Sequence, residues 1–356
     1  PLVRQAMAAR TADGIPRAKA EAEARGYAWE VASDYSYAVV RLMYMFLHWL
    51  WNRLYDGVEI GHPETPARVA QHQRIVYVPC HRSHIDYLLL SYVLYGQGLM
   101  VPHIAAGANL NMPLIGGLLR RGGAFFLRRS FKDNRLYGAV FNEYLHLMLR
   151  RGFPVEYFIE GTRSRTGRLL EPRPGMLAMT LESYLRDFQR PLVFVPVYIG
   201  YEKLFEGKSY ISELLGQPKK KESLLGLLLT VRELRKRFGK VYLNFAEPIA
   251  LADVLASHCP DWQALPPLQG ERPEWFKAVV LSLGRQIADG INSATVVTPV
   301  SLLSLALLAT PRHAMDATLL ARQLDGYRTL VGQSPYTGRV IVTPMTGLEI
   351  IDYCEQ

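Results

Sequence analysis

His81, His84 and Asp86 fall within six positions in the stretch VPCHRSHID, directly after an apolar run that stops at Cys80. Three chemistries fit such a group: metal ligation, a base with its orienting partner, or the polar punctuation between a strand and a helix. Ser83, three residues ahead of Asp86 and just before a new apolar run, has the spacing of a capping box. The same turn has a second use. His81 stands at a strand end, where open α/β sheets place their sites. A carboxylate in the first helical turn can fold back to accept its Nδ1–H, which fixes the tautomer and leaves Nε2 as a general base. Positions five apart do not share a helical face, so the pairing requires His81 to precede the helix. The metal reading has the spacing HxxHxD, but no downstream HxxxH or CxxC completes a ligand set, and His103, His146, His258 and His313 are scattered. Cys80 is a poor nucleophile for His81 to activate, because neighbours on a strand point to opposite faces.

Further along, GGAFFLRRSFKDN (122–134) delivers Arg128, Arg129 and Lys132 at the exit of a strand. VEYFIEGTRSRTGR (155–168) ends a strand in Glu160–Gly161, and its loop carries Arg163, Arg165 and Arg168. In an extended loop Arg163 and Arg165 project from one side. Two guanidiniums so placed suit a phosphate dianion, which takes forked hydrogen bonds. The run VFVPVYIGYEK (193–203) reads as a buried strand whose Pro196 is tolerable only at an edge or bulge.

The elements that must position these groups alternate. Strand-like runs at 74–79, 123–127, 155–159, 192–199 and 240–245 are separated by helical stretches such as 133–152 and 175–188. This predicts an α/β fold with a central, mostly parallel sheet flanked by helices. The division expected is a helical N-terminal region over 1–65, an α/β domain over 66–255 and a mostly helical C-terminal region over 256–356. Hydrophobic residues at 49% and charged residues at 21% exclude a disordered chain. Lys plus Arg number 41 against 32 Asp plus Glu, and the net charge of +9 favours anionic partners: nucleic acid, acidic headgroups, phosphorylated metabolites or an acidic carrier. Three scattered cysteines form no disulfide framework, which places the chain on a reducing side. The apolar segments 36–51 and 296–309 are broken by Arg41, His48 and Pro299, too short to span a bilayer and open to reading as buried or interfacial helices. The basic runs at 216–223 and 232–240 read as solvated faces or docking sites. The start at Pro1 is that expected of a piece of a longer protein.

His81-x4-Asp86 after an apolar strand, then GAFFLRR, FIEGTRSRTGR and VPVYIGYE, resemble in order and spacing the four blocks of the glycerolipid acyltransferases. The wording of VPCHRSHIDYLLLSYVL and YFIEGTRSRTGR is similar to the bacterial membrane-bound glycerol-3-phosphate 1-O-acyltransferase family, the PlsB type. The resemblance implies His81 as general base and Asp86 as its orienting partner. It puts Gly123, Phe126 and Arg129 in the second block. Glu160, Gly161, Arg163, Ser164 and Arg165 fall in the third, with the arginines on glycerol phosphate, and Pro196 lies on the acyl-donor side in the fourth. Lys132 and Lys203 lie close by without a match. The expected reaction is direct transfer of a long acyl chain from acyl-CoA or acyl-ACP to the sn-1 hydroxyl of glycerol 3-phosphate, with no metal, no cofactor and no acyl-enzyme. Expected partners are membrane lipids rather than nucleic acid, at the cytoplasmic face of a bacterial inner membrane, in peripheral or monotopic fashion. An acyltransferase acting on lysophosphatidate or dihydroxyacetone phosphate, a metal-dependent hydrolase and a non-catalytic binding module remain open.

Overall fold

A computed structural model describes residues 2–113, 115–128, 130–131, 134–204, 206–207, 210–211, 238–268 and 271–355. Arg129, Lys132, the basic run 216–223 and residues 232–237 of the second run lie outside the described residues. The N-terminal stretch forms two helices, α1 (Leu2–Ala12) and α2 (Arg17–Val31), parted at Gly14 and Pro16. A third, α3 (Tyr37–Leu54), follows. A short strand, β1 (Val58–Gly61), and helix α4 (Glu64–Ala70) come next.

The central sheet then builds from β2 (Arg74–Pro79), β3 (His103–Gly107), β4 (Ala124–Leu127), β5 (Val155–Glu156), β6 (Leu192–Tyr201), β7 (Val241–Phe245) and β8 (Ile249–Ala250). Its order is β1-β7-β6-β2-β5-β3-β4, with β8 also on β6. Strand β2 is parallel to both β5 and β6, and β3 is parallel to β4 and β5. Only β7 and β8 run antiparallel to β6. The expected mostly parallel sheet flanked by helices is what forms. Between the strands lie α5 (Asp86–Gly96), α6 (Ile115–Arg121), α7 (Arg135–Arg150) and α8 (Pro174–Arg186). After β8 come α9 (Leu251–His258) and α10 (Glu274–Ser293), and α10 packs on both β6 and α8. Strands β2 and β6 are buried on both faces, which is why each reads as an unbroken apolar run rather than an alternating one. The last segment, α11 (Pro299–Leu308), α12 (Ala317–Gln333) and α13 (Gly347–Glu355), has its own small core around Leu302, Leu320, Leu324 and Ile350. A two-stranded parallel ribbon, β9 (Val296–Val297) with β10 (Ile341–Val342), accompanies it.

Two strand expectations are corrected. The run 155–159 pairs for only Val155–Glu156. Tyr157 N–H still donates to the Tyr77 carbonyl, at 3.2 Å. The next rung would need an N–H at residue 79, and Pro79 has none. Pro196 lies on an interior strand, not an edge. It is tolerated because its backbone faces the gap between β7, which pairs Val197–Tyr201, and β8, which pairs Val193–Phe194. Its carbonyl points into that gap and accepts from Ala246 N–H at 3.0 Å; with no N–H at Pro196 to return that bond, the β6–β7 ladder ends at Val197.

Because β2 to β6 are mutually parallel, their C-terminal ends share one edge of the sheet. The turns after β2, β4 and β5 and the last residue of β6 therefore meet there.

Candidate active site

Residues 80–85 leave β2 as a tight turn, and α5 starts at Asp86. His81 precedes the helix, as the pairing with Asp86 requires. Its Nδ1 lies 3.0 Å from Asp86 Oδ2, which also accepts the backbone N–H of Arg82 at 2.7 Å and of Ser83 at 2.8 Å. Asp86 is fully buried. Its other oxygen, Oδ1, accepts the Tyr201 hydroxyl from the end of β6 at 2.7 Å. The capping box is half present: Asp86 reaches back to Ser83 N–H, but Ser83 Oγ donates to Glu206 at 2.7 Å. Helix start and histidine partner are one arrangement, because the carboxylate that gathers the turn's N–H groups also meets Nδ1. With Nδ1 occupied and the ring on a cavity wall, Nε2 is the nitrogen available to a substrate. The imidazole stacks on Phe158, 3.9 Å between centroids and 22° between planes, which fixes its tilt.

The loop after β5 is sewn to this turn. Ser164 N–H donates to the His81 carbonyl at 2.8 Å, and Glu160 Oε1 accepts His81 N–H at 2.6 Å. Glu160 Oε2 accepts Leu170 N–H at 2.9 Å, so both its oxygens are committed to backbone donors. Burial raises the Glu160 carboxyl above its ordinary range, opposed by those hydrogen bonds. Ser164 Oγ donates to the Arg168 carbonyl at 2.5 Å. Glu160 and Ser164 thus hold the loop's shape, and Gly161 and Thr162 reach the cavity. Gly161 has φ +67°, and a Cβ there would lie 2.5 Å from Arg173 Cδ, so glycine is demanded twice over. Arg163 donates to the Tyr210 hydroxyl at 2.7 Å and sits 3.5 Å from Glu206 Oε1. The Arg163 and Arg165 guanidiniums lie 5.3 and 5.9 Å from the centroid of the same Tyr210 ring, so the two arginines do converge.

The end of β6 and the segment after it supply two residues that were not among the expected site residues. Besides Tyr201, which lies within the fourth block, they contribute Glu206, buried, which accepts Ser83 Oγ–H and, at 2.9 Å, His84 N–H. Burial pushes the Glu206 carboxyl up, against the pull of those donors. His84 is a neighbour: burial, with Arg163 and His81 nearby, depresses it to about 4. Burial pushes the Cys80 thiol up to about 11, and Sγ is hydrogen-bonded to the backbone of Ile199, the state of an inert core thiol. One signal for Tyr201 was available: a hydroxyl-bearing residue ending a strand parallel to the one that delivers His81.

The second- and fourth-block residues stand elsewhere. Gly123, at φ +105°, makes the turn into β4 beneath the Pro102 carbonyl. Phe126 is buried under the Arg120 guanidinium, 4.7 Å from its centroid. The ring of Pro196 packs where a side chain on Gly290 would collide. None of the three lines the cavity. Arg128, which does, is locked to Glu30 of α2 by two hydrogen bonds of 2.7 and 2.6 Å.

The cavity has a volume of about 1160 Å³. His81 and His84 stand at one end of α5, and the cavity follows that helix past Leu88 to Tyr92 and Tyr95, walled across by Val40, Met43 and Leu47 of α3. Among the described residues no group of three His, Cys, Asp or Glu side chains is arranged to hold a metal ion.

His81 is thus a strand-end histidine hydrogen-bonded to a buried carboxylate, its imidazole on the wall of an apolar cavity, with Arg163 and Arg165 converging on Tyr210 outside that lining. Residues 62–200 match the acyltransferase family model, and residues 210–355 match that of the glycerol-3-phosphate acyltransferase C-terminal region. The chain thus carries an acyltransferase domain followed by a glycerol-3-phosphate acyltransferase C-terminal region. It is 54% identical over 354 residues to a glycerol-3-phosphate acyltransferase of Pseudomonas paraeruginosa, covering 99% of this chain and 42% of that protein. A namesake from Pseudomonas putida is 52% identical, over 99% of this chain and 43% of its own length. The chain thus spans about two-fifths of the length of the curated relatives it matches. The crystal structure of the 1-acyl-sn-glycerophosphate acyltransferase PlsC from Thermotoga maritima aligns over 71% of this chain and 78% of its own, at 17% identity and a TM-score of 0.39.

Proposed function

We propose that the chain carries the catalytic centre of a glycerol-3-phosphate 1-O-acyltransferase. The observation that carries this reading is the His81–Asp86 pair, its imidazole on the wall of the apolar cavity, with the Arg163–Arg165 loop bonded to the same turn. The arginines receive the phosphate and turn the sn-1 hydroxyl toward His81, an effect of orientation. Nε2 takes the hydroxyl proton as the oxygen attacks the thioester carbonyl. Asp86 stabilises the imidazolium that forms. As the tetrahedral intermediate collapses, the C–S bond breaks and His81 returns the proton to the departing thiolate. No protein nucleophile takes part, in keeping with the state of Cys80. The acyl chain of acyl-CoA or acyl-ACP lies in the trough between α3 and α5.

The same helix supports docking on a membrane. Leu42, Met45, Phe46 and Trp49, spaced i, i+3, i+4 and i+7, form one outward stripe of α3 and are 62, 51, 48 and 53% exposed. Arg41 and Arg53 are also exposed on this helix. Such a stripe, with an apolar product made behind it, fits a peripheral enzyme of the cytoplasmic face of the inner membrane. Among the described residues no helix is long and apolar enough to cross a membrane.

The test is thiol release from palmitoyl-CoA with glycerol 3-phosphate, lysophosphatidate or dihydroxyacetone phosphate as acceptor. Preferential consumption with glycerol 3-phosphate supports the reading. Preference for another acceptor moves the chain to a sister activity, and release that needs only water and a divalent metal makes it a hydrolase.

A further inference from the structure

The buried Asp86 carboxylate is served unevenly. Oδ2 takes three donors, from His81, Arg82 and Ser83, whereas Oδ1 takes a single one among the described residues, the Tyr201 hydroxyl at 2.7 Å. The carboxylate is sealed from bulk solvent, and the Tyr201 hydroxyl is the donor the fold supplies to Oδ1, so it helps set the plane in which the group lies. The plane in turn decides whether a lone pair of Oδ2 meets His81 Nδ1. Tyr201 is itself delivered rigidly. Its backbone pairs with Val241 of β7, and its neighbour Glu202 accepts the Tyr242 hydroxyl at 2.8 Å, the Lys240 N–H at 2.7 Å and the Tyr353 hydroxyl of α13 at 2.7 Å. The strand end is therefore clamped from the sheet and from the C-terminal helix. Burial and the nearby Asp86 charge keep the Tyr201 hydroxyl protonated, so it can only donate to the carboxylate.

We infer that Tyr201 is a positioning residue for the reaction, acting through Asp86: its hydroxyl fixes the carboxylate plane that holds the His81 imidazole in register. This rests on the reading of His81 as the base. It also draws the C-terminal region into the geometry of the centre, because Tyr353 braces the residue next to Tyr201.

The experiment compares Tyr201→Phe, Asp86→Asn and the double variant in two readouts. The first is thiol release with palmitoyl-CoA and glycerol 3-phosphate. The second is the downfield proton resonance of His81 Nδ1–H in the ligand-free protein. Tyr201→Phe lowers kcat by about tenfold, the rate equivalent of one weak charge-assisted hydrogen bond, and leaves KM for glycerol 3-phosphate within twofold. It displaces or broadens the Nδ1–H resonance. Added to Asp86→Asn it lowers kcat by less than a further twofold, because the charge it orients is already gone. A Phe variant with kcat within twofold of wild type and an unmoved resonance overturns the inference, as does a fully additive double variant. If Tyr201→Phe fails to fold, adding Asp86→Asn restores the melting transition, since the cause is a buried charge left without its donor. Failure to restore it also overturns the inference. A wild-type protein that consumes no thioester counts against the acyltransferase reading alone, because the resonance is read without substrate.

Discussion

Replacing Asp86 by asparagine separates the charge of this side chain from its place in the turn. The carboxylate accepts four hydrogen bonds, three at Oδ2 and one at Oδ1. In the Asp86→Asn variant the amide oxygen must take the Oδ2 position, because an NH₂ there would face the N–H groups of Arg82 and Ser83. The amide nitrogen then faces Tyr201, whose hydroxyl turns to accept. The donors at the Oδ2 position remain satisfied and only the Tyr201 proton loses its acceptor, so the fold and the affinity for glycerol 3-phosphate persist at a modest cost in stability. What is lost is the negative charge 3.0 Å from Nδ1 when the imidazole takes the substrate proton. A charge-assisted hydrogen bond contributes about 1–2 kcal/mol beyond its neutral counterpart, so kcat falls roughly 5- to 30-fold. The assay is thiol release under saturating palmitoyl-CoA across a range of glycerol 3-phosphate, with a melting curve to verify folding. A folded asparagine variant whose kcat stays within threefold of wild type refutes the assignment of Asp86. So does one whose loss lies wholly in KM.

Arg163→Ala removes a guanidinium from the loop that presents the phosphate site and should raise KM for glycerol 3-phosphate by at least tenfold; an unchanged KM with reduced kcat assigns the arginine to the transition state instead. Cys80→Ser should keep activity within a few-fold, since the buried thiol is pushed up to about 11 and is hydrogen-bonded to the Ile199 backbone; an acyl group trapped on Cys80 contradicts direct transfer. His103 is buried and depressed to about 4, so below about pH 6.5 the unfolded chain binds a proton that the folded one refuses. Stability is therefore fully present above pH 6.5 and lost as pH falls toward 4, by about 2–3 kcal/mol from this group, and His103→Gln should flatten the melting temperature over that interval. Phe46→Asp with Trp49→Asp should weaken co-sedimentation with anionic vesicles while preserving turnover of a short-chain soluble thioester; undiminished sedimentation removes α3 from the membrane face.

Much of the central sheet was legible because its strands are buried on both faces. Such strands must be apolar throughout, and the runs at 74–79 and 192–199 announce themselves without tertiary information. The half-exposed β1 and the two-residue strands β8, β9 and β10 carry no such run and leave no mark in the sequence pattern. Early loss of pairing after Glu156 was written in Pro79, a residue of the neighbouring strand, so no reading of 155–159 alone would find it. For the same reason the place of Pro196 depended on where β7 stops and β8 begins.

The sequence by itself determined the order of the site residues along the chain: His81 before a helix that opens with Asp86, and Arg163 and Arg165 in the loop that follows the strand begun at Val155. These are local facts, set by hydrophobic period, turn chemistry and side-chain alternation. Only the tertiary structure decided what serves Asp86 Oδ1, what binds the turn at Ser83 and His84, and that Glu160 and Ser164 are spent on the backbone. Tyr201 and Glu206 lie 115 and 120 residues from Asp86 along the chain. Tyr201 meets Asp86, and Glu206 meets the turn at Ser83 and His84, because parallel strands bring their C-terminal ends to one edge and a buried polar group must find a partner wherever the fold provides one.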